Sequence, residues 1–148
     1  MGWSPLIYKF VDGGAEPVLL DMALVRAVLE PHDVGDLQLT VGEDGSLGFW
    51  VRASDGSEAE TFAGVQGVEV HRPHAGGVWG IVAELVSRLG AVVIDPSGAG
   101  VVCRAEEHTH LPAAMQDDAT VIEMTGEALE AALTGPRRNA AAVARRES

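Results

Sequence analysis

Five histidines and one cysteine are the side chains in this sequence best suited to metal or nucleophilic chemistry. His71 and His74 leave a strand-like segment, while His108 and His110 share a polar stretch with Glu106 and Glu107, a few residues after Cys103. Imidazole and thiolate suit a borderline ion such as zinc, and four contributions from two loops would close a tetrahedral site. His71, His74, His108 and His110 are the candidate ligands. His-x-x-His on extended chain does not set both rings on one side, as an i, i+4 pair on a helix does, so the two pairs must also meet in space. Solvated loop histidines are the simpler reading. Cys103 and His108 could pair as nucleophile and base, but the apolar strand around Cys103 suits a small core residue better.

A second chemistry is anion binding. In Arg72-Pro73-His74-Ala75-Gly76-Gly77 the chain passes from a strand into a helix start, where backbone amides and the helix dipole favour a phosphate. Arg72, Gly76 and Gly77 are the candidate residues; glycines that merely bend the chain into the helix are the alternative. The segment resembles the acyl-CoA-binding stretch of the GCN5-related acetyltransferases: Gln or Arg, two residues, Gly, one residue, Gly or Ala. Arg72 and Gly77 match that pattern, and Ala75 stands at its first glycine position. The order of antiparallel strands, helix and strand over residues 37–95 is also similar to that family. The resemblance implies acyl-CoA as ligand, although the chain then turns back in a hairpin where the family has another helix. Its only Tyr, Tyr8, lies far upstream.

These residues must be positioned by elements that the hydrophobic pattern predicts. Pro5–Val11 reads as a strand ended by Asp12-Gly13-Gly14, and Asp21 caps a helix with Leu24, Val25, Val28 and Leu29 on one face, stopped by Pro31. Leu37, Leu39 and Val41, then Leu47, Phe49 and Val51, alternate with polar residues across a turn at residues 42–45 and make a hairpin with one core face. Strands over residues 58–63 and 65–72 extend it into a meander. Val78, Ile81, Val82, Leu85, Val86 and Leu89 form a helical stripe that ends at Gly90. Residues 91–95 read as a strand covered on both faces, and Pro96–Gly100 turns it into a strand ending near Arg104. Residues 106–118 read as a polar loop with one helical turn after Pro112. A strand over 119–124 and a helix capped by Thr125, with Ala128, Leu129, Ala132 and Leu133 as its stripe, complete the pattern.

The same alternation assigns a third kind of site. Trp50 points away from Leu47, Phe49 and Val51, onto the second sheet face with Arg52, where it is either a binding anchor or core beneath a covering helix. Trp79 flanks the long helical stripe and reads as closing its edge. Residues 1–135 carry 21 acidic against six basic residues, a net charge of −15, because four of the ten cationic residues lie in the last twelve positions. Such a body repels nucleic acid and anionic membrane and would draw in a basic partner, although acidity that serves solubility alone is the simpler reading. Trp50, Arg52, Glu58 and Glu60 are the expected partner-binding residues.

The chain therefore reads as an α+β single domain over residues 1–135, with an antiparallel-rich mixed sheet of about six to eight strands and two to three helices mainly on one face. Residues 136–148 read as a basic, Ala-rich flexible or helical tail. A lone cysteine and no signal-like apolar run fit the reducing cytoplasm. In size, charge and organisation the chain resembles the small acidic immunity proteins that bacteria encode beside polymorphic toxins. That resemblance implies a non-catalytic inhibitor, working without a cofactor, that uses acidic residues to occupy the basic site of its protein partner. An acyl-CoA-dependent transferase and a zinc-binding accessory protein are the alternatives.

Overall fold

A computed structural model describes residues 4–34, 40–41, 47–95 and 100–134. The expected turns at residues 42–45 and 96–99, the start of the strand at 37–39 and the tail at 136–148 lie outside them. In chain order the elements are β1 (Leu6–Tyr8), α1 (Met22–Leu29), β2 (Thr40–Val41), β3 (Leu47–Arg52), β4 (Glu58–Gly64), β5 (Gly67–His71), α2 (Val78–Leu89), β6 (Val92–Asp95), β7 (Gly100–Cys103), α3 (Ala105–His108), α4 (Ala113–Gln116), β8 (Thr120–Val121) and α5 (Gly126–Thr134).

Local chemistry sets most of the boundaries. The Asp21 carboxylate accepts from the amides of Ala23 and Leu24 and so starts α1, as expected. Pro31 does not simply stop that helix; the chain tightens into a 3-10 turn over Glu30–His32. Gly90 ends α2 with φ +66°, a left-handed conformation that costs glycine nothing. Thr125 caps α5 through a hydrogen bond from Ala128 N to its hydroxyl. The polar stretch after β7 holds one element more than expected. Glu107, buried, takes both Nε and a terminal nitrogen of Arg104 at 2.6 and 2.8 Å, and this fork anchors α3 against β7.

All described strands form one sheet in the order β2-β3-β4-β5-β1-β6-β7-β8, antiparallel throughout except for the parallel pair β7 and β8. The α+β, antiparallel-rich mixed architecture is thus as the pattern indicates. β1 lies at the centre, with β5 on one side and β6 on the other. Among the described residues no helix is long and apolar enough to cross a membrane.

Residue parity divides the core in two. Ile7, Phe49, Val51, Ala59, Ala63, Val68, Val70, Val93 and Val102 face α1, α2 and α5 and make the main cluster with their apolar stripes. On the opposite face Val92, Val101 and Cys103 pack under Phe10, Leu111 and Met115, so the α3–α4 segment roofs only the β1-β6-β7 part. Among the described residues nothing comparable roofs the outer face of β3, β4 and β5, and both large aromatics on it, Trp50 and Phe62, are exposed.

Candidate functional site

The outer face of β3, β4 and β5 is built by three strands in fixed register. Trp50 on β3 lies opposite Glu60 on β4, which lies opposite His71 on β5; Arg52 lies opposite Glu58, and Gly48 opposite Phe62 and then Glu69. Trp50 and Phe62, diagonal neighbours across the β3–β4 ladder, are 46% and 42% exposed. Trp50 is therefore a surface residue and not core. Its indole Nε1 donates to Glu58 Oε1 at 2.8 Å, and Arg52 Nε donates to Glu58 Oε2 at 2.6 Å. These two donors hold the Glu58 carboxyl below its ordinary pKa, the indole contributing most. The edge of β3 is closed here by Asp33 and Val34, which exchange hydrogen bonds with the Trp50 backbone.

Beside this row lies a pocket of about 200 Å³ lined by Trp50, Glu58, Glu60, His71, Arg72 and His74. Glu60 is half-buried, and its carboxylate has no hydrogen bond or ion pair among the described residues. Arg72 has φ +51°, a left-handed conformation uncommon outside glycine, so the chain turns sharply at the end of β5. The pocket thereby collects residues from all three candidate sets: Trp50, Glu58 and Glu60 from the partner-binding set, Arg72 from the anion set, and His71 and His74 from the metal set.

The four histidines do not converge. His71 hydrogen-bonds Ser4 Oγ at 3.0 Å and its ring meets Phe62 edge-on with centroids 6.0 Å apart; His74 Nδ1 accepts from Glu58 N at 3.2 Å. His108 Nε2 bonds the Gln116 carbonyl at 3.0 Å, and His110 Nδ1 accepts from Asp12 N at 3.0 Å. Three successive antiparallel pairings separate β5 from β7, so the two histidine pairs leave opposite ends of the sheet. No group of three or more His, Cys, Asp or Glu that could hold a metal ion occurs among the described residues. Cys103 is fully buried, and burial, with the Glu107 charge adding to it, pushes its thiol up to about 11. A thiol so rarely ionised is a poor nucleophile.

The expected anion site at the start of α2 is already filled by the protein itself. Gly77 N donates to Asp55 Oδ2 at 2.8 Å, Val78 N to Ser57 Oγ at 2.8 Å, and Gly76 N to Glu130 Oε1 at 3.4 Å. Amides that would cradle a phosphate are thus spent on the Asp55-Gly56-Ser57 turn between β3 and β4. The two glycines serve that contact: a Cβ on Gly76, which has φ +121°, would stand 2.7 Å from Asp55 Oδ2. β5 and β6, which flank α2 in sequence, are separated in the sheet by β1. No opening between neighbouring parallel strands therefore lies beside Gly76 and Gly77.

Hydrogen bonds from the Ser57 hydroxyl, the Ser57 amide and the Gly77 amide lower the Asp55 pKa from 3.8 to about 2. A carboxyl depressed on folding stabilises the fold fully above its ordinary value and loses that contribution as pH falls through the folded one. Wild type is accordingly expected to resist urea better than Asp55→Asn at pH 7, with the gap closing between about pH 4 and pH 2. A gap that stays constant over this range would show that the carboxylate is not what holds the helix.

Phe62 was not singled out by sequence reasoning, yet its place at an outward position of β4 was readable once the parity of that strand was fixed by Ala59, Thr61 and Ala63. The Asp55 and Ser57 cap carried only a turn signal, because its helix begins 21 residues after Ser57. No protein-family model, curated protein or solved structure matches the chain.

Proposed function

We propose that the chain is a non-catalytic cytoplasmic binding protein that docks a basic protein partner on the outer face of β3, β4 and β5, in the manner of an immunity or antitoxin-type inhibitor. One observation carries this reading: Trp50 and Phe62 stand side by side in solvent on a sheet face bordered by Glu58, Glu60 and Glu69. Exposed aromatics ringed by charge are the usual anchors of protein interfaces, the aromatics supplying area that sheds water and the charges supplying register. The acidic body supports the same partner chemistry, since a net charge of −12 over the whole chain accelerates encounter with a basic surface and repels nucleic acid. Three strands hold the anchors rigidly, so little ordering is needed on binding.

The test is capture from a lysate of the source cells by the full chain and by a Trp50→Ala/Phe62→Ala bait. Wild type is expected to retain a basic protein at low salt and to lose it as screening rises. The double variant should bind that protein at least tenfold more weakly, as loss of interface anchors does. Equal retention by both baits would sink the reading. Trp50→Ala alone should shift the unfolding free energy by less than about 1 kcal/mol, as surface substitutions do, because the side chain is half in solvent.

A further inference from the structure

We infer that the pocket between Trp50 and Glu60 receives an arginine side chain of the partner. This rests on the docking reading above and names its central contact. Among the described residues Glu60 carries the unanswered carboxylate of this face: Glu58 is taken by Trp50 and Arg52, and Glu69 lies 3.6 Å from the His71 ring, whereas no described residue hydrogen-bonds or ion-pairs the Glu60 carboxylate. It is also half-buried, and it lies directly across the ladder from Trp50. A partly desolvated carboxylate asks for a cation with several donors.

The neighbours choose among cations. Trp50 is held in place by its hydrogen bond to Glu58, which leaves an aromatic ring fixed beside the empty carboxylate. A planar guanidinium can stack on such a ring while forking onto a carboxylate, which a hydrated ammonium does poorly. The cavity, about 200 Å³, is large enough for a guanidinium and part of its stem. Arg72 also lines the pocket and makes no ion pair among the described residues. Its donors suit the uncharged backbone carbonyls that a bound peptide brings with its arginine. His71 and His74, the remaining polar lining, are already engaged by Ser4 and by the Glu58 amide.

The probe is the tripeptide acetyl-Gly-Arg-Gly-amide, titrated into the full chain while the Trp50 indole N–H resonance is followed, with Trp50→Phe identifying the signal. Saturable movement is expected, with the lysine counterpart at least fivefold weaker. Glu60→Gln should weaken the arginine peptide about tenfold, whereas Glu123→Gln, beyond β8 at the far edge of the sheet, should change it less than twofold. Equal effects of the two substitutions would reduce the attraction to diffuse charge and overturn the inference. So would a response to acetyl-Gly-Glu-Gly-amide that Arg72→Gln abolishes, since the pocket would then be an anion site. Failure of the arginine peptide with a basic protein still captured through Trp50 and Phe62 would remove this contact alone and leave the docking reading intact.

Discussion

Trp79→Ala is expected to destabilise the protein by about 3–5 kcal/mol, the range for removing a large aromatic from a packed core. Trp79 is 1% exposed and heads the fully buried side chains by volume among the described residues. It sits in the first turn of α2, in the layer where that helix meets α1 and α5. Small domains are stable by only about 5–15 kcal/mol, so the variant would fold marginally or not at all at 37 °C. With a urea m-value on the order of 2 kcal/mol per molar, the unfolding midpoint should fall by roughly 2 M. The paired measurement is Trp50→Ala under the same conditions, which should leave the midpoint almost in place. Similar losses for the two tryptophans would mean that the two faces of the sheet have been assigned wrongly.

Gly126→Ala should be the next most damaging change, at about 2–3 kcal/mol, even though it adds one methyl group. A Cβ at Gly126 would run into Gly80 N and stand 2.7 Å from Gly80 Cα and 2.9 Å from Trp79 C. These are backbone atoms of α2, so no rotamer change relieves the clash. Helix α5 would have to back away, loosening the seats of Leu129, Ala132 and Leu133, all buried against the main core. Gly80 itself predicts the opposite sign. A Cβ there meets nothing within 4 Å, and alanine is the better helix former, so even in the first turn of α2, where the gain is smaller than the roughly 1 kcal/mol of a helix interior, Gly80→Ala should raise the melting temperature. Should Gly126→Ala melt like wild type, the two helices do not cross as closely as described.

The difference between these two glycines shows what a sequence carries and what it withholds. Periodicity placed α2 to within one residue and named its C-terminal glycine, because the buried stripe and the left-handed cap are local facts. The same local reading left Trp79 at the edge of the stripe. Only the crossing of α5, some 45 residues further on, turns that edge into interior. Alternation likewise put Trp50 on the face away from Phe49 and Val51, yet whether a helix covered that face depended on where α3 and α4 come to rest. The histidines fail for the same reason: their residue types suited zinc, while the run of antiparallel pairings sent the two pairs to opposite ends of the sheet. At Gly76 and Gly77 the glycine signal was genuine but served Asp55, a partner from a distant turn.

The middle position of β1 has a consequence in time. The segment at residues 6–8 is synthesised before every other strand of the sheet, yet its two neighbours are residues 67–71 and 92–95. At translation rates of roughly 5–20 residues per second, it waits several seconds for the first and longer for the second. Until β5 is made β1 has no partner in the sheet, and once paired with β5 it presents a bare edge until β6 arrives, the kind of edge that recruits strands from other chains. Both pairings join segments far apart along the chain, which makes them slow to form relative to α2 or the β3–β4 hairpin. The earliest-made strand is thus the keystone, and the interval before its second edge is covered is when the nascent chain is most exposed to mispairing.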